Sequence, residues 1–154
     1  MPYEYNCKIN RVVDGDTVDV DIDLGFGIVL TDERVRIMGI DTPESRTSDK
    51  VEKVFGLAAK ERLKELLGKE AILKTEINKD GEDMKGKFGR VLGDFLTPEG
   101  ERVTKILVNE GHAVRYHGQN KADVEMAHMA NRNKLLNEGV ISAAEVQEAK
   151  EKMK

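Results

Sequence analysis

The chain has 154 residues, a formal net charge of −4, 39% hydrophobic residues and one cysteine. A lone Cys7 excludes an intrachain disulfide and fits a reducing compartment, and the start, Met1-Pro2-Tyr3-Glu4-Tyr5, has no apolar signal core, so an intracellular protein with no membrane partner is expected. The acidic balance weighs against a tight, sequence-blind nucleic-acid binder, which carries a basic footprint, but not against an enzyme whose carboxylates hold a cation.

Residues 5–13 alternate loosely and read as a first strand, ended by the turn tripeptide Asp14-Gly15-Asp16. Residues 17–24 alternate strictly, with Val18, Val20, Ile22 and Leu24 on one face and Asp19, Asp21 and Asp23 on the other. The same parity turns Asp16 toward the apolar face, where a carboxylate is costly unless something binds it; the plainer reading is a turn cap. Gly25-Phe26-Gly27 should open a loop or hairpin, and Thr31-Asp32-Glu33 a second bend. Residues 34–40 alternate again as a third strand, stopped by Asp41-Thr42-Pro43. Residues 45–53 are polar and read as a surface loop, before a helix over 54–67 with Gly68 as its C-cap.

Residues 71–77 and 88–96 read as a fourth and a fifth strand, separated by a charged, glycine-containing loop. The remainder turns helical: a short amphipathic helix around Val103, Ile106 and Leu107 ended by Gly111, a longer one over 121–137 with Val124, Met126, Ala127, Met129, Ala130, Leu135 and Leu136 as apolar positions, and a last one capped by Ser142 with Glu145 in capping-box position. The order suits an α+β fold, a small, partly open five-stranded barrel of the OB type with packed helices. Residues 1–138 are expected to form this domain, and 139–154 a C-terminal helical extension packed on it or flanking it. A monomer is expected.

Asp14, Asp16, Asp41 and Glu44 sit at strand ends and offer only oxygen. With carbonyls and water they suit a hard cation such as Ca²⁺, Mg²⁺ or Mn²⁺, not Zn²⁺. Asp19, Asp21 and Asp23 imitate an aspartate ligand run, but no bidentate glutamate follows at the required distance, and strand alternation explains them as a solvated face. Arg36 and Arg90 fall in different expected strands. Guanidinium forks match phosphate oxygens, so two of them beside a carboxylate-held cation would stabilise a phosphodiester under attack, with Glu44 as a general base for water. Taken singly, each arginine reads as a surface residue, and Lys87-Phe88-Gly89-Arg90 as a turn entering a strand. Glu125-x-x-His128 imitates half of a di-iron helix motif, but no second copy exists, and it reads as a helix surface.

Four motifs in this order, Val13-Asp14-Gly15-Asp16-Thr17, Arg36-Ile37-Met38-Gly39-Ile40-Asp41-Thr42-Pro43-Glu44, Lys87-Phe88-Gly89-Arg90 and Val108-Asn109-Glu110-Gly111-His112-Ala113, make the chain resemble the staphylococcal (micrococcal) nuclease family over residues 5–137. The resemblance implies an OB-fold barrel with helices and a Ca²⁺-dependent endonuclease acting on DNA and RNA to leave 3′-phosphates. It implies that Asp16, Asp41 and the Thr42 carbonyl bind calcium, with Asp14 acting through water. Glu44 would position or deprotonate the attacking water, and Arg36 and Arg90 would clamp the scissile phosphate. Lys87, Phe88 and Tyr116 would bind substrate. Phe88 stands where family members often have tyrosine, so a hydroxyl contact is lost there. The acidic charge favours one alternative, a non-catalytic nucleic-acid or protein-binding module; a calcium-stabilised structural domain is a third.

Overall fold

A computed structural model describes residues 3–76 and 90–153; Lys87 and Phe88 lie outside them. Strands β1 (Glu4–Asp14), β2 (Thr17–Gly25) and β3 (Ile28–Ile37) form an antiparallel meander. After them come β4 (Ile40–Asp41), α1 (Lys50–Leu67), β5 (Glu70–Thr75) and β6 (Val91–Leu96), then α2 (Val103–Glu110), β7 (Val114–Arg115), α3 (Lys121–Asn137) and α4 (Ala143–Lys152). β6 pairs in parallel with β3 and antiparallel with β5, and β5 pairs with β1, so the sheet closes in the order β1-β2-β3-β6-β5. The barrel is therefore closed where the sequence suggests a partly open one. Closure leaves none of these five strands with a free edge.

Alternation builds the interior. Val18, Val20 and Ile22 of β2 meet Val35 and Ile37 of β3, Leu73 of β5 and Phe95 of β6, and Leu63, Leu67, Val103 and Leu107 plug the cluster from α1 and α2. Cys7 is part of this core, and burial pushes its thiol up to about 12, which leaves it inert at neutral pH. The β2–β3 hairpin turns on Phe26 and Gly27, both left-handed at φ 57° and 75°, the geometry that matches strand twist.

Three local expectations change. Thr31-Asp32-Glu33 does not end a strand: β3 runs through it on a bulge, with Asp32 at φ 52° and its N–H donating to Asp21 Oδ1 at 2.8 Å. The third strand stops at Ile37, and Ile40–Asp41 instead pairs with Val114–Arg115 in a separate two-stranded sheet. Helix α1 begins at Lys50, inside the expected surface loop, because Asp49 caps it by accepting from the N–H groups of Val51 and Glu52.

Helices α1, α3 and α4 share a second apolar cluster of Phe55, Leu135, Ile141 and Val146. In α3 only part of the expected apolar set packs: Leu135 is buried, Met126 and Met129 are exposed, and His128 and Asn131 turn inward. The α2 N-cap, Arg102, makes no side-chain cap bond. Asp94 of β6 supplies one, accepting from the Thr104 hydroxyl at 2.6 Å and more weakly from its N–H at 3.4 Å. Burial raises this carboxyl above its ordinary value.

His112 follows the left-handed Gly111 and is buried, with no hydrogen-bond partner for Nδ1 among the described residues. Burial pushes its pKa below the ordinary 6.5; Glu110 opposes this and Arg62 adds to it in smaller measure. The unfolded chain therefore takes up a proton at higher pH than the folded one. The stability at stake is fully present above about pH 6.5 and is lost as pH falls through that value toward the folded pKa. His112→Gln is expected to flatten this slope. Difference in Tm from the wild type, followed from about pH 7.5 to 5, checks it; parallel curves would refute it.

Candidate active site

Both acidic turns lie at one end of the barrel and are joined by main-chain bonds. Ile37 N–H donates to Asp16 O at 2.8 Å, which ties the β1–β2 turn to the end of β3. Met38 N–H donates to Gly93 O at 2.9 Å and Tyr116 N–H to Gly39 O at 2.9 Å, so β6 and the chain after β7 hold the segment leading into Asp41. Tyr116 thus reaches the site through its backbone, and its side chain is half exposed.

Arg36 joins the two turns. Its guanidinium donates to the carbonyls of Ile37 and, at 3.0 Å, Ile40, and Nη2 stands 3.4 Å from Asp16 Oδ2. The Asp16 side chain is 13% exposed and that of Arg36 22%, so this charge pair is well shielded. Thr17 donates its hydroxyl to the other Asp16 oxygen at 2.9 Å.

Asp14 accepts from both the hydroxyl and the N–H of Ser45, the latter at 3.3 Å. Ser45 is buried and follows the exposed Glu44 directly. Glu44 N–H donates to Glu52 Oε2 at 2.9 Å. The Glu44 backbone is therefore pinned on both sides, to the β1–β2 turn through Ser45 and to the first turn of α1 through Glu52. Close approach makes this possible: a Cβ on Gly56 of α1 would lie 2.2 Å from Glu44 O, and one on Gly15 2.8 Å from Ala59 Cβ and 3.1 Å from Thr42 Cγ2. Thr42 is buried.

Two residues beyond the expected set belong here. Ser45 carried no signal beyond standing after Glu44. His128 lies with Nε2 2.6 Å from Asp41 Oδ2, its side chain 16% exposed against 38% for Asp41. As the Nε2–H form it donates to that carboxylate from α3, and Asn131, one turn on, donates to Ala113 O at 3.1 Å beside β7. Arg90 precedes β6 and lines an open groove with Asp14.

Among the described residues no three His, Cys, Asp or Glu side chains are gathered closely enough to hold a metal ion. Asp16 and Asp41 instead face Arg36 and His128 separately. The donor chemistry still fits a hard cation: carboxylates on two adjoining turns and the buried Thr42 backbone, with no thiolate nearby. No helix among the described residues is long and apolar enough to cross a membrane.

Comparison with known proteins covers the motifs from Arg36 onward; Val13–Thr17 lies before the family match. Residues 34–138 match the family described as staphylococcal nuclease homologue. The chain is 30% identical over 118 residues to endonuclease YhcR of Bacillus subtilis, an alignment covering 73% of this chain and 9% of that protein. It is 34% identical over 108 residues to the SPbeta prophage-derived endonuclease YokF of the same organism, covering 70% of this chain and 33% of the relative. It is 34% identical over 84 residues to the thermonuclease of Staphylococcus intermedius, covering 54% and 44%. In each case the chain spans less than half of the relative's length. With the family matched from the last residues of β3 to the end of α3 and the barrel closed as an OB-type α+β fold, the chain belongs to the staphylococcal nuclease homologue family.

Proposed function

We propose that the protein is a Ca²⁺-dependent endonuclease that hydrolyses DNA and RNA to leave 3′-phosphate ends. One observation carries the reading: a single shielded guanidinium, Arg36, touches both acidic turns, reaching Asp16 on one and the Ile40 carbonyl beside Asp41 on the other. A cation-binding half and an anion-binding half thus share one strand end. Asp16, Asp41 and the Thr42 carbonyl would hold the cation, with Asp14 acting through water; when bound it would neutralise phosphate charge and draw electrons from phosphorus.

The chain's own groups do the rest. Glu44, exposed on a pinned backbone, takes a proton from water as the water oxygen attacks phosphorus. The bond from phosphorus to the 5′ oxygen breaks, that oxygen takes a proton from solvent and leaves as a 5′-hydroxyl, and the phosphate stays on the 3′ side. Arg36 and Arg90 gain most as charge builds on the phosphoryl oxygens. Lys87, Phe88 and Tyr116 would hold the nucleotide.

The test is incubation with single-stranded DNA and RNA in Ca²⁺ or in chelator at neutral to alkaline pH. Cation-dependent cleavage to 3′-phosphates is expected; binding without cleavage would overturn the reading in favour of a binding module.

His128 gives this reading a separate check. By fixing one Asp41 oxygen it orients the other. His128→Ala is expected to weaken Ca²⁺ binding by about tenfold, and His128→Gln, which keeps an N–H donor, to restore part of it. Titration calorimetry reads this without any turnover, and equal affinity in all three proteins would remove His128 from the site.

A further inference from the structure

Asp19 lies on the strand face expected to be solvated, yet it is only 6% exposed. Arg11 Nη2 donates to its Oδ2 at 2.8 Å, and Arg34 donates through Nε to Oδ1 at 2.8 Å and through Nη2 to Oδ2 at 3.1 Å. Arg34's hydrogen bond, followed by that of Arg11, holds the carboxyl below its ordinary value against desolvation. Asp19 is therefore a fixed anion that orients two arginines, and the trio is left with one net positive charge.

A guanidinium has five N–H donors. Arg34 commits two to Asp19, and its side chain remains 42% exposed. It lines an open groove of about 480 Å³ together with Arg46, Arg90, Thr17, Asp14 and Glu33. Arg46 is exposed and follows Ser45, whose bonds to Asp14 anchor the chain at that point. Three guanidiniums thus face one groove in a chain of net charge −4. Asp14 and Glu33 offset two of them, which predicts modest, salt-sensitive affinity rather than tight binding.

We propose that this groove is a phosphate track, in which Arg34 and Arg46 bind the backbone of a single-stranded nucleic acid next to the phosphate held by Arg90. The arginines contact phosphodiester, not base, so the track is indifferent to sequence. Guanidinium forks suit it because they present paired donors to phosphate oxygens. The proposal rests on the nuclease reading for the role of Arg90.

The experiment measures binding of labelled oligo-dT and oligo-U in chelator, where no hydrolysis is expected, as a function of salt. For single strands each lost phosphate contact lowers the slope of log K against log salt by about 0.7. Arg46→Ala is expected to lower it by about 0.7 and the Arg34→Gln, Arg46→Ala double variant by about 1.4, equally on dT and U. Arg34→Gln removes a partner of buried Asp19; if it fails to fold, Arg46→Ala alone must show the smaller change. In Ca²⁺, the same variants should raise KM for a long oligomer while leaving a dinucleotide substrate unaffected. An unchanged slope, or no binding by the wild type at low salt, overturns the track even if the protein cleaves. A normal slope shift in a protein that cleaves nothing supports the track and overturns the nuclease reading.

Discussion

Replacing Arg36 by alanine is expected to lower kcat by about 10² to 10³, the loss typical when one preorganised donor to a developing oxyanion is removed. The reason lies in how the side chain is held. Nη1 donates to the Ile37 carbonyl, and Nη2 donates to the Ile40 carbonyl and also faces Asp16. A long, flexible side chain is thereby fixed before substrate arrives, so little ordering remains to be done during reaction. The same bonds give the substitution a structural cost. Ile40 is buried, and its carbonyl would lose a charged donor, worth about 1–3 kcal/mol.

Arg36→Lys separates the two effects. Lysine keeps the charge but not the planar fork, so it should recover stability near Asp16 and little of kcat. Steady-state kinetics on single-stranded DNA, with Tm recorded on each variant, checks this. A kcat for Arg36→Ala within a few-fold of the wild type would remove Arg36 from the reaction.

How much of this was legible in the chain depends on the range of the interaction. Alternation over 17–24 and 34–40 exposes two barrel strands, but the meeting of Asp16, in the turn before β2, with Arg36 is a long-range contact that neither pattern shows. The Gly68, Gly111 and Ser142 caps read correctly because capping is a local bond. β4 and β7 have two residues each, too short for any period to show. The first turn of α1 is polar, so its apolar period starts late, and the Asp49 cap with Glu52 three residues on was the signal that marked it. In α3, methionines suggest a core face, but its packed face carries His128 and Asn131, which work through hydrogen bonds that hydrophobic periodicity does not register. His128 and Asp41 are 87 positions apart, and nothing in either neighbourhood announces the other. Asp19 errs the opposite way: alternation placed it outside correctly, but two arginines cover it.

The second large effect is expected from Gly56→Ala, a change that local rules favour. Alanine is the better helix former by about 1 kcal/mol, and Gly56 lies inside α1. Its added methyl, however, would stand 2.2 Å from Glu44 O, 2.4 Å from Glu44 C and 2.7 Å from Ser45 N, all backbone atoms. No side-chain rotation relieves such a contact, so the helix or the loop must shift by about 1 Å, and overpacking of this kind costs about 1–3 kcal/mol. The clash therefore outweighs the propensity. The loop is the weaker party, held by Glu52 on one side and by Ser45 on the other. Its shift would carry Glu44 away from the attacking water and loosen Asp14 through Ser45. A displacement of this size costs about 10² in rate, while the stability loss lowers Tm by about 2–4 °C per kcal/mol in a chain of this size. Leu57→Ala, one residue on and exposed, is the control: it should leave the rate unchanged. If Gly56→Ala matches that control in rate and Tm, the glycine is not what seats Glu44, and the close approach of α1 to the loop has no part in positioning the base.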